Sequence, residues 1–273
     1  MRRLLYFLLP VALMATNIGV VSAQDVFAPR AIGVDRLIGI AAVAVPDYEG
    51  SDDYTFAAAP LFQYKFGKTS RYAQLVGNKI YGNLLNHENW EFGPLGVFRF
   101  GRDGDDIEDN VVKLMTDVDD SFELGMFLGY AKKFNNNLRH RMNIHFDISQ
   151  DVADGHDGFV AQLSGIYWQP VSRAFDIGFR ANFTYASEDY MSSFFDVTAA
   201  DATRSGLTQF DADAGFKDMG IALMGLLHFN KSWHMGMGLQ YKALFGDASD
   251  SPVVDTQGDS NQFFVGLSLL YSW

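Results

Sequence analysis

Apolar and polar residues alternate with a period of two over much of this chain. From Leu138 to Gln150, Leu138, Met142, Ile144, Phe146 and Ile148 share one parity, while Arg139, Arg141, Asn143, His145, Asp147 and Ser149 share the other. Only an extended strand separates neighbours onto opposite faces with that period. His140 is a polar residue on the apolar side. The segment from Phe175 to Tyr185 repeats the pattern, with Phe175, Ile177, Phe179, Ala181, Phe183 and Tyr185 opposing Asp176, Gly178, Arg180, Asn182 and Thr184. In a soluble sandwich the apolar face meets a core and the polar face bulk water. In a membrane barrel the apolar face meets lipid and the polar face the lumen.

The two ends of the chain choose between these. Arg2 and Arg3 precede the apolar run Leu4 to Met14, and Val21-Ser22-Ala23 supplies a small-residue cleavage site before Gln24. This has the form of a secretory signal over residues 1–23, leaving 24–273 as one mature domain. The run is broken by Pro10 and Asn17 and falls short of the roughly 18 to 20 apolar residues of a spanning helix. At the other end Phe263, Val265, Leu267, Leu269, Tyr271 and Trp273 share one parity, against Ser268 and Ser272 on the other. An amphipathic last strand closing on an aromatic residue resembles the signal read by the outer-membrane insertion machinery of Gram-negative bacteria. The expectation is an all-β, antiparallel transmembrane barrel exported to the outer membrane.

Parity predicts strands near 35–46, 54–66, 70–76, 79–85, 89–101, 121–133, 138–150, 157–169, 173–186, 216–229, 232–245 and 261–273. These make twelve, and an even count returns both termini to the periplasmic side. The count rests on Gly77-Asn78 as a two-residue hairpin turn. Short connections at 67–69, 86–88, 135–137, 170–172 and 230–231 then fall on the periplasmic side. The longer ones, 47–53, 102–120, 151–156, 187–215 and 246–260, fall outside, as such barrels arrange them. Tyr64, Phe66, Trp90, Phe98, Phe100, Tyr130, Trp168, Phe175, Tyr185, Phe229, Trp233, Tyr241 and Trp273 lie near strand ends and are expected in the interfacial girdles.

Composition narrows the functions. The net charge is −12, and loss of Arg2 and Arg3 on maturation makes it more acidic, which argues against a nucleic-acid partner. Much of the acid lies in expected outer loops, at Asp103, Asp105, Asp106, Glu108, Asp109, Asp117, Asp119 and Asp120, where it would face water beside lipid and lipopolysaccharide. The chain has no cysteine, so neither a disulfide nor a thiol nucleophile is available, and a lipid anchor at the cleavage site is not expected.

The expected lumenal face carries Arg99, Glu123, Arg139, Arg141, His145, Asp147, Asp176, Arg180, Gln240 and Lys242. Unpaired charges away from water are costly and pairing removes the cost, so one account is a mutually neutralised network that stiffens the barrel. The other is a solute path whose arginines select anions. A wall-borne lipase would need a Ser–His pair with an orienting group, but no histidine has a serine at a spacing that marks it as a partner. Neither a catalytic residue nor a cofactor is expected. Metal ligation is not expected either, because His140, His145 and His156 share no helical face and the acidic loops lack the Asp-x-Asp-x-Asp-Gly spacing of a calcium loop.

Several segments resemble the MipA/OmpV family, whose namesake is an MltA-interacting protein. They are Pro46-Asp47-Tyr48-Glu49-Gly50-Ser51-Asp52-Asp53-Tyr54 followed by Pro60; Gly93-Pro94 leading to Arg99, Gly101 and Arg102; Phe194-Phe195-Asp196-Val197; and Gly246-Asp247-Ala248-Ser249-Asp250-Ser251-Pro252-Val253-Val254. Their order and spacing cover nearly the whole mature chain. On the residues alone each segment is also structural punctuation: Pro46 and Gly50 bound a tight loop, Tyr48 and Tyr54 pack at a rim, and Ser251-Pro252 fixes the return into the last strand. The resemblance implies a non-enzymatic barrel, acting in the namesake as a scaffold that joins a murein lytic transglycosylase to a peptidoglycan synthase. A narrow channel for small solutes is the alternative from a different class.

Overall fold

The computed structural model describes residues 33–273, and the expected signal segment lies outside them. Twelve strands run as β1 (Arg36–Pro46), β2 (Tyr54–Lys65), β3 (Tyr72–Val76), β4 (Lys79–Asn83), β5 (Trp90–Arg99), β6 (Ser121–Phe134), β7 (Asn137–Asp151), β8 (Phe159–Pro170), β9 (Phe175–Ala186), β10 (Gly215–His228), β11 (Trp233–Leu244) and β12 (Asn261–Ser272). Each pairs with its sequence neighbours, and β12 closes on β1 from Leu37 opposite Ser272 to Ala44 opposite Val265. The pairing of Val76 with Lys79 makes Gly77-Asn78 a true hairpin turn, with Gly77 at φ +57° as a tight two-residue turn requires. Asn135 and Asn136 make the β6–β7 turn in the same left-handed region, which asparagine tolerates.

The period of two becomes an inside and an outside. Leu267 is 57% exposed and Ser268 only 4%, and the same alternation runs the length of β12. Ile38, Phe56, Leu128, Ile148, Phe179 and Leu223 stand outward with Leu267. An apolar surface that continuous belongs against hydrocarbon, not water. Outward aromatics pair at the periplasmic rim, Trp90 with Tyr130 and Trp233 with Tyr271, each with ring centroids 5.0 Å apart. Trp168 departs from the girdle expected of it. It shares parity with Gln162 and Ser164, points into the lumen and is 4% exposed.

Among the described residues, apolar side chains pack across the interior. Leu37, Val43, Leu61 and Val76 on β1 to β3 form one packed cluster with Trp168 on β8, Met224 and Leu226 on β10, and Phe264 and Leu270 on β12. Five steps around the wall separate β1 from β8, so the cluster bridges the lumen. Val34, just before β1, packs on it and accepts a hydrogen bond from Gln63 Nε2 at 2.7 Å.

The outer loops fold into a lid. The long connection after β9 holds helices α1 (Glu188–Phe195) and α2 (Ala199–Ser205), and the one after β11 holds α3 (Asp247–Asp250) and α4 (Pro252–Asp255). The Thr198 hydroxyl caps α2, which ends on Gly206, and the Ser251 hydroxyl caps α4 ahead of Pro252 at its first turn. Tyr190, Met191, Phe194 and Phe195 of α1 pack with Val160, Leu244, Ala248 and Val254. Tyr48, Ile107, Val112, Val197 and Val253 form a second cluster in the same lid. Several of the expected loop acids act as local braces, Asp109 accepting from the Val111 and Val112 amides and Asp120 from the Gly101 amide.

Trp168→Ala removes the aromatic side chain that joins the cluster across the lumen. It is expected to lower stability by about 3–5 kcal/mol, read as a shift in the equilibrium unfolding midpoint of the refolded barrel.

Candidate functional site

Beneath the lid, the β1–β2 loop turns inward and carries Glu49 into the lumen. Gly50 takes φ +98°, and its carbonyl accepts from the Asp259 amide at 2.8 Å. A Cβ on Gly258 would lie 1.9 Å from that carbonyl, so the two glycines let the first and last outer loops lie backbone against backbone. Lys217 and Lys242 (2.8 Å) both donate to Glu49 Oε1, and the Tyr190 hydroxyl donates to Oε2 at 2.9 Å. Burial alone would raise the Glu49 carboxyl, but Lys217 and then Lys242 override it and hold the group well below the usual carboxylate range. Burial likewise pushes the Tyr190 phenol up, so it serves as a neutral donor.

Lys217 enters through a register shift between Phe216 and Asp218, which turns Lys217 and Asp218 into the lumen together. From there the network continues around the wall. Asp218 pairs with Lys217 at 2.6 Å and accepts from Thr184 at 2.8 Å, Thr184 accepts from Gln162 at 3.3 Å, and Gln162 accepts from Lys79 of β4 at 3.2 Å. Asp147 accepts from Tyr81 at 2.8 Å and lies 3.8 Å from Lys79. On the other flank Arg99 pairs with Glu123 and reaches the Tyr190 hydroxyl at 3.3 Å. Glu123, with no exposed surface, also accepts from Ser149 at 2.5 Å and lies 3.1 Å from His156 Nε2. Between these chords lies a cavity of about 40 Å³, lined by Glu49, Lys79, Asp147, Asn182, Gln240 and Lys242 among others.

A second polar chain runs along the periplasmic end. Arg139 Nε donates to Asp176 at 3.0 Å, Asp176 meets His228 Nε2 at 3.0 Å, His228 Nδ1 meets His234 Nδ1 at 2.7 Å, and His234 Nε2 meets Ser272 Oγ at 3.0 Å. His234 and Ser272 lie 38 positions apart, on neighbouring strands, a spacing that no local pattern marks. Ser272 is 3% exposed in the wall. Among the described residues no three of His, Asp and Glu are grouped to hold a metal ion.

The other residues singled out in the sequence fall into three places. His145 and Arg180 are buried on the lumenal face, His145 lying 3.2 Å from Glu91 and stacking on Phe127, and Arg141 shares that face as a half-buried residue. Pro46, Tyr48, Gly50, Ser51, Asp52, Tyr54, Arg102, Gly246, Asp247, Ser251 and Pro252 gather in and around the lid. There Arg102 donates to the Phe194 carbonyl at 3.0 Å, the Ser251 hydroxyl to the Phe195 carbonyl at 2.5 Å, and Tyr54 Oη accepts from the Phe263 amide at 3.1 Å. Gly93 and Pro94 sit in the β5 wall, where a Cβ on Gly93 would lie 1.9 Å from the Gly82 carbonyl. Val265, Leu267, Leu269, Tyr271 and Trp273 face outward. Sequence reasoning missed Glu49, Lys217, Asp218, Tyr190 and His156. The signal for Glu49 was its place in the most specific loop segment, whereas the bulge hid Lys217 from any parity count.

Glu49→Gln leaves Lys217 and Lys242 buried with too little counter-charge, a loss of about 3–5 kcal/mol for a broken buried pair. A carboxylate held low in the folded state contributes stability that is complete above its unfolded value of about 4.3 and fades as pH falls below it. Acid unfolding curves are therefore expected to show the native protein losing stability below that pH, with a shallower slope in the Glu49→Gln variant.

No curated protein sequence matches the chain. Among solved structures, a NanC porin is similar at 9% identity over 86% of this chain and 100% of its own, with a TM-score of 0.49. An outer-membrane channel from Pseudomonas putida F1 is similar at 12% identity over 93% of this chain and 99% of its own, with a TM-score of 0.46. The family model described as MltA-interacting protein MipA matches residues 38–273, from the first strand to the terminal tryptophan. With its closed twelve-stranded wall, its loop lid and that match, the chain belongs to the MipA family of outer-membrane barrels.

Proposed function

We propose that this chain is a non-enzymatic structural barrel of the cell envelope, a scaffold that links peptidoglycan-remodelling enzymes, namely a murein transglycosylase and a synthase. The observation that carries this reading is the filled interior. Among the described residues the lid, the ion-paired network and the apolar cluster enclose a cavity of about 40 Å³ under the lid, room for roughly three waters, where a solute path needs continuous wet space. The family's description as MltA-interacting supports the choice of partner. The non-enzymatic reading is supported by the burial of Ser272, which leaves its contact with His234 out of reach of a substrate.

A narrow channel for small solutes is the second reading. It is favoured by the polar lining of the cavity and by Arg141 and Arg180 on the lumenal face. Single-channel recording of the refolded protein in planar bilayers separates the two. The scaffold reading expects a stably inserted, electrically silent barrel, unchanged by Arg141→Ala or Arg180→Ala. Steady conductance whose ion selectivity shifts in those variants would establish the channel instead. Mild-detergent purification against a tagged MltA-type transglycosylase and a peptidoglycan synthase is expected to retain both enzymes; a silent barrel that retains neither sinks the scaffold.

A further inference from the structure

We propose that the periplasmic rim is a docking surface for an anionic, carboxylate-bearing glycopeptide polymer, the peptidoglycan itself, read by point charges on the turn tips. This interaction is with the polymer and does not depend on whether enzymes dock to the barrel. The argument starts from where the exposed charge lies. Among the described residues eight basic side chains are exposed, and six of them, Lys68, Arg71, Lys132, Lys133, Arg173 and Lys231, sit at the periplasmic end. Among the described residues only Asp35 and Glu88 are exposed acids there, and Asp35 is paired with Lys65 at 3.0 Å. The outer face is the reverse: its exposed cations are Lys113 and Arg204, set among Asp105, Asp106, Glu108, Asp117, Asp119 and Asp120. A chain with net charge −12 thus concentrates its free positive charge on one rim.

These cations sit on fixed backbone. The turn holding Lys68 is closed by the Thr69 hydroxyl on the Phe66 carbonyl at 2.6 Å, and Arg71 Nε ties it to the next turn through the Leu84 carbonyl at 2.9 Å. The Arg173 carbonyl accepts from Arg139 at 3.1 Å and the Lys231 carbonyl from Ser272 at 3.2 Å. Among the described residues none of Lys68, Lys133, Arg173 and Lys231 has a carboxylate within ion-pair distance, so their charges are available to a partner.

The shape of the rim selects the kind of partner. Its turns are two to six residues long and carry these cations at separate points, which suits a flexible polyanion whose carboxylates adjust to scattered charges. Headgroups of the inner leaflet lie at the level of the outward aromatics on the strand ends, whereas Lys68, Arg173 and Lys231 stand in the turns beyond those strands. Attraction of this kind is long-ranged at low salt and screened over about 8–10 Å at physiological ionic strength.

The test is co-sedimentation of the detergent-solubilised, refolded barrel with purified sacculi. Binding is expected at low salt, falling by about tenfold at high salt. A comparable loss is expected with sacculi whose carboxyls have been amidated, and with the combined variant Lys68→Glu, Lys133→Glu, Arg173→Glu and Lys231→Glu. Heat-modifiable migration on gels reports whether that variant is folded; if it is not, the four single Lys/Arg→Gln variants are each expected to weaken binding. Sacculus binding indifferent to charge reversal and amidation, or binding to phosphatidylglycerol vesicles without binding to sacculi, overturns the proposal. Neither result depends on whether a transglycosylase co-purifies.

Discussion

In hydrocarbon a backbone amide has no water to turn to, so every strand must find partners on both edges and the sheet must close on itself. The pairing of β1 with β12 meets that demand, and much else follows from it. Once the wall is closed, the outer face can carry only side chains that lipid accepts, so nearly all the strand-borne polarity faces inward. Charges facing inward are deprived of bulk water and must pair. Lys79 with Asp147, Arg99 with Glu123 and Arg139 with Asp176 are consequences of closure as much as of local sequence.

Glu49 shows how loop and wall are made to agree. Two lysines from β10 and β11 and a tyrosine from α1 converge on one carboxylate delivered by a loop from the far side of the seam. The same carboxylate neutralises the lumen and anchors the lid, so the electrostatics of the interior and the seating of the outer loops are one interaction. Apolar packing of α1 and α4 over the mouth then keeps water from competing for it.

Much of the wall was legible from alternation alone, down to the Gly77-Asn78 hairpin and the outward row that ends at Trp273. A period of two reports which face a residue takes and nothing about what lies across the lumen. That is why the inward set could be named while its partners could not, and why Trp168, chosen for its place near a strand end, was assigned to a girdle it does not join. Lys217 was hidden because a bulge breaks the period on which the count relies. The short helices of the outer loops carry no long amphipathic signal, and the His234–Ser272 contact joins strands whose register no local pattern displays.

The reach of Glu49 also orders assembly in time. It leaves the end of the first strand, yet one of its partners, Lys242, lies 193 positions later in the chain. Contacts between such distant points come late, because the intervening chain must be gathered before they can reward it. Until β10 and β11 are in place, the Glu49 carboxylate lacks both of its lysine partners. The ion-paired interior is therefore a property of the finished molecule, acquired as the last strands arrive to complete the wall.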